Sequence, residues 1–78
     1  MREEVVISGG NGFLGSYLTK ALSKTYKVYC LDINLKNPVK NKYIVNVKCD
    51  ITNPRELKEK LDFIKKRKGI IHLINNAA

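Results

Sequence analysis

The sequence contains no tryptophan, one histidine, two cysteines and two prolines among its 78 residues. So few soft ligands cannot build a structural zinc centre of the usual four Cys or His donors, and no metal site is expected. Cys30 and Cys49 each sit in an apolar run, in VYCLD and NVKCD. Without a secretory signal, the expectation is two buried free thiols rather than a disulfide. No stretch approaches the roughly 18 consecutive apolar residues of a membrane span, and the N-terminal MREEVV lacks the apolar core of a signal peptide. The expected location is the cytoplasm, with no membrane partner. Acidic residues are also scarce, seven against fifteen Lys and Arg, for a net charge of +8. Such an excess raises the question of nucleic acid. Twelve of the fifteen are lysines spread along the chain, and KKRK at 65–68 is the one dense cluster. No aromatic side chain interleaves with it as a base-stacking surface requires, so no nucleic-acid partner is expected.

What is present is ordinary for a globular chain: 44% hydrophobic and 28% charged residues. The length bounds the chain to one small domain. Glu4 to Ser8 is a β-branched run suited to a buried parallel strand. From Phe13, apolar residues at Leu14, Tyr17, Leu18, Ala21 and Leu22 form the stripe of an amphipathic helix. KVYCLD (27–32), YIVNVKCD (43–50) and GIIHLI (69–74) read as three further strands. A second helix starts at Pro54, with Asn53 as its cap, Glu56 completing a capping box, and Leu57, Leu61 and Ile64 on its buried face. Its last turn is Lys65 to Lys68 with Gly69 beyond, so KKRK complements the helix dipole and glycine supplies the exit. Strands alternating with helices call for an α/β fold with a parallel sheet.

Between the first strand and the first helix stand four glycines within seven positions, in GGNGFLG. The spacing satisfies G-x-G-x-x-G through Gly10, Gly12 and Gly15, and G-x-x-G-x-x-G through Gly9, Gly12 and Gly15. A turn of this kind leaves the first N–H groups of the helix without partners and aimed at open space. Those donors and the positive dipole end favour an anion such as a pyrophosphate. Glycines allow positive φ and close approach of the phosphates, and Gly15 permits close helix–strand packing. Asp32 ends the second strand, seventeen residues beyond Gly15. A carboxylate there can accept hydrogen bonds from both ribose hydroxyls of NAD and repels the 2′-phosphate of NADP.

With these residues in place, the sequence resembles the short-chain dehydrogenase/reductase family along its whole length. SGGNGFLG resembles the glycine segment of the extended branch, with Ser8 where threonine is usual. CDIT (49–52) resembles the acidic motif after the third strand, and NNAA (75–78) the Asn-Asn-Ala-Gly motif after the fourth, with Ala78 in place of glycine. The extended-type glycine segment and the single-domain-type Asn-Asn motif leave the branch open. The resemblance implies a partial Rossmann fold, four parallel strands in the order 3-2-1-4 with helices on both faces. It implies that Gly9, Gly10, Asn11, Gly12, Phe13, Leu14 and Gly15 hold the pyrophosphate of NAD. By the same match, Asp50 accepts from the adenine amino group, Ile51 lines the ring pocket, and Asn75 and Ala77 border the adenosine ribose.

The family's chemistry relies on a Tyr-x-x-x-Lys pair, in which lysine lowers the phenol pKa for proton transfer. Four residues after Tyr17, Tyr26, Tyr29 and Tyr43 come Ala21, Cys30, Ile33 and Val47, so none of the four qualifies. Tyr17 lies on the apolar stripe, where core packing is the expected role. His72 stands in an apolar strand with no acid beside it in sequence. No catalytic residue is therefore assigned. Residues 1–78 are expected to be the N-terminal part of a single dinucleotide-binding domain, from a longer oxidoreductase or a truncated gene product. In the complete enzyme a hydride would pass between nicotinamide and a carbonyl or alcohol carbon, with a sugar nucleotide as one substrate class. A non-catalytic nucleotide-binding or interaction module is the alternative. The fourth strand, apolar and at an edge, is the expected point of association or homo-oligomerisation. The charge distribution predicts no retention on DNA or RNA columns at low salt; retention that falls with rising salt would reverse that exclusion.

Overall fold

The computed structural model describes residues 2–10, 12–35, 41–65 and 71–75. Chain order is β1 (Glu4–Ser8), α1 (Phe13–Leu22), β2 (Lys27–Asp32), β3 (Ile44–Lys48), α2 (Pro54–Lys65) and β4 (Ile71–Asn75). All pairings are parallel and the sheet order is β3-β2-β1-β4, as the alternation of elements requires. β1 is central, and all five of its residues are buried. A strand covered on both faces cannot alternate apolar with polar, and so it reads as a continuous run.

The period-2 alternation divides the core into two halves. Val6, Tyr29 and Leu31 face one side, where they meet Cys49 and Ile64 with Leu57 and Leu61 of α2. Ile7, Val28, Cys30 and Ile44 face the other, against Leu18 and Leu22 of α1. The two cysteines are free and buried on opposite faces of the sheet, which precludes a bridge between them. Burial pushes the Cys30 thiol up to about 11, with the Asp32 carboxylate adding to the shift. Glu4, at the start of β1, is buried and accepts a hydrogen bond from the Tyr29 hydroxyl at 3.2 Å.

Three local expectations are revised. The third strand is shorter than 43–50: it spans Ile44–Lys48, the Cys49 amide makes the last bond to β2 at the Asp32 carbonyl, and the chain then turns at Ile51 and Thr52. At α2, Asn53 Oδ1 accepts from the amides of Arg55 and Glu56, as a cap should. Glu56, however, accepts from the Asp50 amide rather than from Asn53, whose own amide is taken by the Asp50 carbonyl. The capping carboxylate thus braces the loop before the helix.

The third revision concerns α1. Phe13 is 98% exposed, Tyr17 75% and Leu14 57%, so Tyr17 is not a core residue. At 100° per residue the apolar stripe runs from Phe13 through Tyr17, Ala21 and Leu14 to Leu18 and Leu22. The arc that meets the sheet shares only Leu18 and Leu22 with that stripe, and continues to the buried Gly15 and Thr19. Small side chains let the helix approach closely; the bulky half of the stripe is turned outward.

The KKRK cluster beyond Lys65, with Gly69, lies outside the described residues. No helix among those described is long and apolar enough to cross a membrane. Because Ile64 is the fully buried anchor of α2, Ile64→Ala should lower unfolding free energy by about 2–4 kcal/mol, measured by urea denaturation. A loss below about 1 kcal/mol would show that α2 contributes little to the core.

Candidate functional site

In an open parallel sheet, ligands meet the carboxyl ends of the strands where the chain order reverses. Here β1 is that point, with β2 and β3 on one side and β4 on the other. The turn leaving β1 is built on glycine for a physical reason. Gly9 has φ 70°, the left-handed region that other residues enter at a cost. Its amide donates to the Leu31 carbonyl at 2.8 Å, which ties the turn to β2. Its carbonyl accepts from Gly12 at 3.2 Å, which closes the turn.

α1 begins directly after Gly12, which caps the helix without any side-chain hydrogen bond. The first turn of α1 contains no acidic residue, so no side chain competes for the positive end of the helix dipole. The field at the helix start therefore favours negative charge.

Beside this turn lies a cavity of about 290 Å³, lined by Gly9, Asp32, Ile33, Cys49, Asp50, Ile51 and Thr52. It is built from three segments: the β1–α1 turn, the end of β2, and the loop between β3 and α2. Of the residues expected to serve one site, it brings together Gly9, Asp32, Asp50 and Ile51. Gly10 is buried behind the turn, and Gly15 in the helix interior. Phe13 and Leu14 do not line this cavity; their side chains border a separate groove along α1 with Tyr17 and Lys20. Asn75 is in register with Ser8 at the same end of the sheet. Asn11 and Ala77 lie outside the described residues, as does the Asn75 side chain.

Ile33, which lies outside every motif, also lines the cavity, as do Cys49 and Thr52, the two ends of CDIT that carried no assigned role. Ile33 carried a signal: a large apolar residue following the acid at a strand end, and 59% exposed in the fold. The two acids are held differently. Asp32 Oδ1 accepts from the Asn34 amide at 3.0 Å. Asp50 Oδ1 accepts from both the hydroxyl and the amide of Thr52, at 2.6 and 3.0 Å. These two bonds, the hydroxyl's first, hold the Asp50 carboxyl below the usual carboxylate range. Two carboxylates on one small cavity favour a ligand rich in hydrogen-bond donors at that end, and disfavour a phosphate there.

His72 is elsewhere. It sits near the start of β4, away from the glycine turn, with Nε2 3.2 Å from Glu3 Oε2. The acid that its sequence neighbourhood lacked comes from the segment before β1. No group of three or more His, Cys, Asp or Glu residues that could hold a metal occurs among the described residues.

The sequence model of the NAD dependent epimerase/dehydratase family matches residues 5–78. A 3-oxoacyl-[acyl-carrier-protein] reductase, FabG, of Buchnera aphidicola is 36% identical over 80 residues, covering 92% of this chain and 33% of that protein. A short chain dehydrogenase of Leptospira borgpetersenii, solved with bound NAD+, superposes with a TM-score of 0.70 at 33% identity, over 91% of this chain and 30% of that one. The ligand-free aldohexose dehydrogenase of Thermoplasma acidophilum gives 0.78 at 34% identity, over 99% and 30%. The chain thus spans about a third of the length of these relatives.

A carboxyl whose folded-state pKa is lowered adds stability that is present above its unfolded value and lost as pH falls through the folded one. Solvent around Asp50 keeps that contribution small. A carboxyl ¹³C titration should place the Asp50 midpoint below the ordinary value of about 3.9. Thr52→Val, which removes the hydroxyl and leaves the amide, should raise it. An unchanged midpoint would separate Asp50 from the Thr52 hydroxyl.

Proposed function

The chain belongs to the NAD dependent epimerase/dehydratase family, and from that premise we propose that it forms the cofactor-holding N-terminal part of a short-chain dehydrogenase/reductase-like oxidoreductase that uses NAD. The observation that carries the reading is the convergence of Gly9, Asp32, Asp50 and Ile51, from three separate segments, on one cavity. A volume of about 290 Å³ is near the lower end of ligand pockets, about 300 Å³, and suits one half of a dinucleotide.

The residues present fit that half. The glycine turn allows close approach of a diphosphate, and the uncapped start of α1 supplies N–H donors and a favourable field. Asp32, at the carboxyl end of β2, would accept from ribose hydroxyls. Asp50 Oδ1 is engaged by Thr52, so an adenine amino group would donate to Oδ2. Ile33 and Ile51 would supply apolar contact to the base. Asn75, placed opposite Ser8, would border the ribose side of the site. Bound NAD would serve as hydride carrier. The chain's own residues hold and orient it; proton transfer and substrate binding belong to residues outside this set.

In this reading residues 1–78 are the N-terminal part of a single dinucleotide-binding domain. The substrate would be a carbonyl or alcohol, with a sugar nucleotide as one class. Among the described residues β4 pairs with β1 alone, and Leu73 on it is 61% exposed. A further strand, from the same polypeptide or a second copy, would pair along that edge.

Separate calorimetric titrations of NAD and NADP test the assignment. NAD should bind at least about tenfold more tightly, a difference of about 1.4 kcal/mol. Asp32→Ala should weaken NAD by about tenfold and narrow the preference, since it removes charge-assisted hydrogen bonds. Equal affinities in the unsubstituted chain, or tighter NADP, would overturn the role of Asp32.

A further inference from the structure

Thr19 occupies an unusual place for a hydroxyl. It lies in α1 with no exposed surface, on the arc that faces the sheet. The common outlet for a helical threonine is a carbonyl one turn back in its own helix. Here Oγ1 instead donates out of the helix, to the carbonyl of Gly10 at 3.2 Å. A buried hydroxyl carries a desolvation cost that valine, of nearly the same shape, would avoid. The hydroxyl also meets the buried Cys30 thiol, but its bond to a backbone carbonyl is the one that reaches the turn.

Gly10 is confined from three directions. A Cβ at that position would lie 2.4 Å from Cys30 Sγ, 3.0 Å from Ile7 Cγ2 and 3.0 Å from Thr19 Oγ1. Side chains of β1, β2 and α1 thus close on one residue in the middle of the phosphate-facing turn. Two of the three contacts are steric and set how deep the turn sits. Only Thr19 makes a directional bond to the backbone, and because the peptide unit is planar, anchoring the carbonyl orients that part of the turn. Glycine supplies no such constraint by itself, since its backbone is the most permissive.

We propose that Thr19 is a positioning residue for the glycine turn: its buried hydroxyl ties the Gly10 carbonyl to the core and holds the turn in the shape that receives a diphosphate. The proposal rests on the cofactor-binding reading above. It separates the two ends of the ligand. The adenosine end meets Asp32, Ile33, Asp50 and Ile51, whereas the diphosphate end depends on the turn that carries the Gly10 carbonyl. Removing the hydroxyl should therefore weaken ligands that carry a diphosphate and spare those that do not.

The test uses the full chain in four forms: unsubstituted, Thr19→Val, Thr19→Ala and Thr19→Ser. Valine removes the hydroxyl and keeps the volume; alanine and serine differ from each other by the hydroxyl alone. Each form is titrated with NAD, ADP and adenosine by calorimetry, and its unfolding midpoint in urea is recorded. Thr19→Val and Thr19→Ala should lose about tenfold in affinity for NAD and ADP with adenosine unchanged, and Thr19→Ser should match the unsubstituted chain. If Thr19→Val fails to fold, the comparison of alanine with serine decides. Undiminished ADP binding without the hydroxyl overturns the proposal. So does an equal loss of adenosine and ADP, which marks a general structural role, or a loss in Thr19→Ser as large as in Thr19→Ala. Failure of the unsubstituted chain to bind NAD or ADP would instead overturn the cofactor-binding reading itself.

Discussion

The double-sided burial of β1 is the constraint on which the rest of the molecule depends. Val5, Val6 and Ile7 are almost completely removed from solvent, and each contributes about 1.5–3 kcal/mol by leaving water. Their backbone groups must pair within the sheet, and they do so with β2 on one side and β4 on the other. Because neighbouring side chains point to opposite faces, Val6 nucleates the α2 half of the core and Ile7 the α1 half. The strand that organises both halves also ends at the glycine turn. The candidate site is thus set at the end of a strand paired on both sides.

Close approach of α1 follows from the same arrangement. The helix presents Gly15 and Thr19 to the sheet, with Leu18 and Leu22 beside them, and its start comes near enough for Gly10 to be enclosed by Cys30 and Ile7. The thiol suits this position. It is small, and burial keeps it protonated, with its pKa pushed up to about 11. Phe13 and Tyr17 are displaced outward as a consequence.

Electrostatics divides the site into two ends. The start of α1 is a positive end with no acid in its first turn, while Asp32 and Asp50 make the adjoining cavity negative. An anionic group is favoured at the first and hydroxyl or amino donors at the second. This is the polarity of one half of a dinucleotide, and it arises in a chain whose overall charge is +8. Net charge says little about the local field, because the cavity carries two acids within a chain rich in lysine.

Element types and their order were legible in the sequence. Apolar runs of strand length, the 3.6-residue period, and the Asn53–Pro54 cap are local signals that depend on residues a few positions apart. The glycine turn and the acid at the end of β2 were legible for the same reason. What local periodicity could not supply was the face of α1 that meets the sheet. Six apolar residues from Phe13 to Leu22 span half the helix, and burial of Gly15 and Thr19 reflects how close the helix comes, which is a property of the assembled core. Nor could it join Ile33, Cys49 and Thr52 to Gly9 in one cavity, or place Glu3 beside His72. The sequence by itself determined the βα pattern, the parallel sheet and the glycine turn, since each rests on short-range periodicity and backbone chemistry. Only the tertiary structure decided which side chains close the cavity and which hydroxyl reaches Gly10, because those contacts join distant segments whose separation is set by packing.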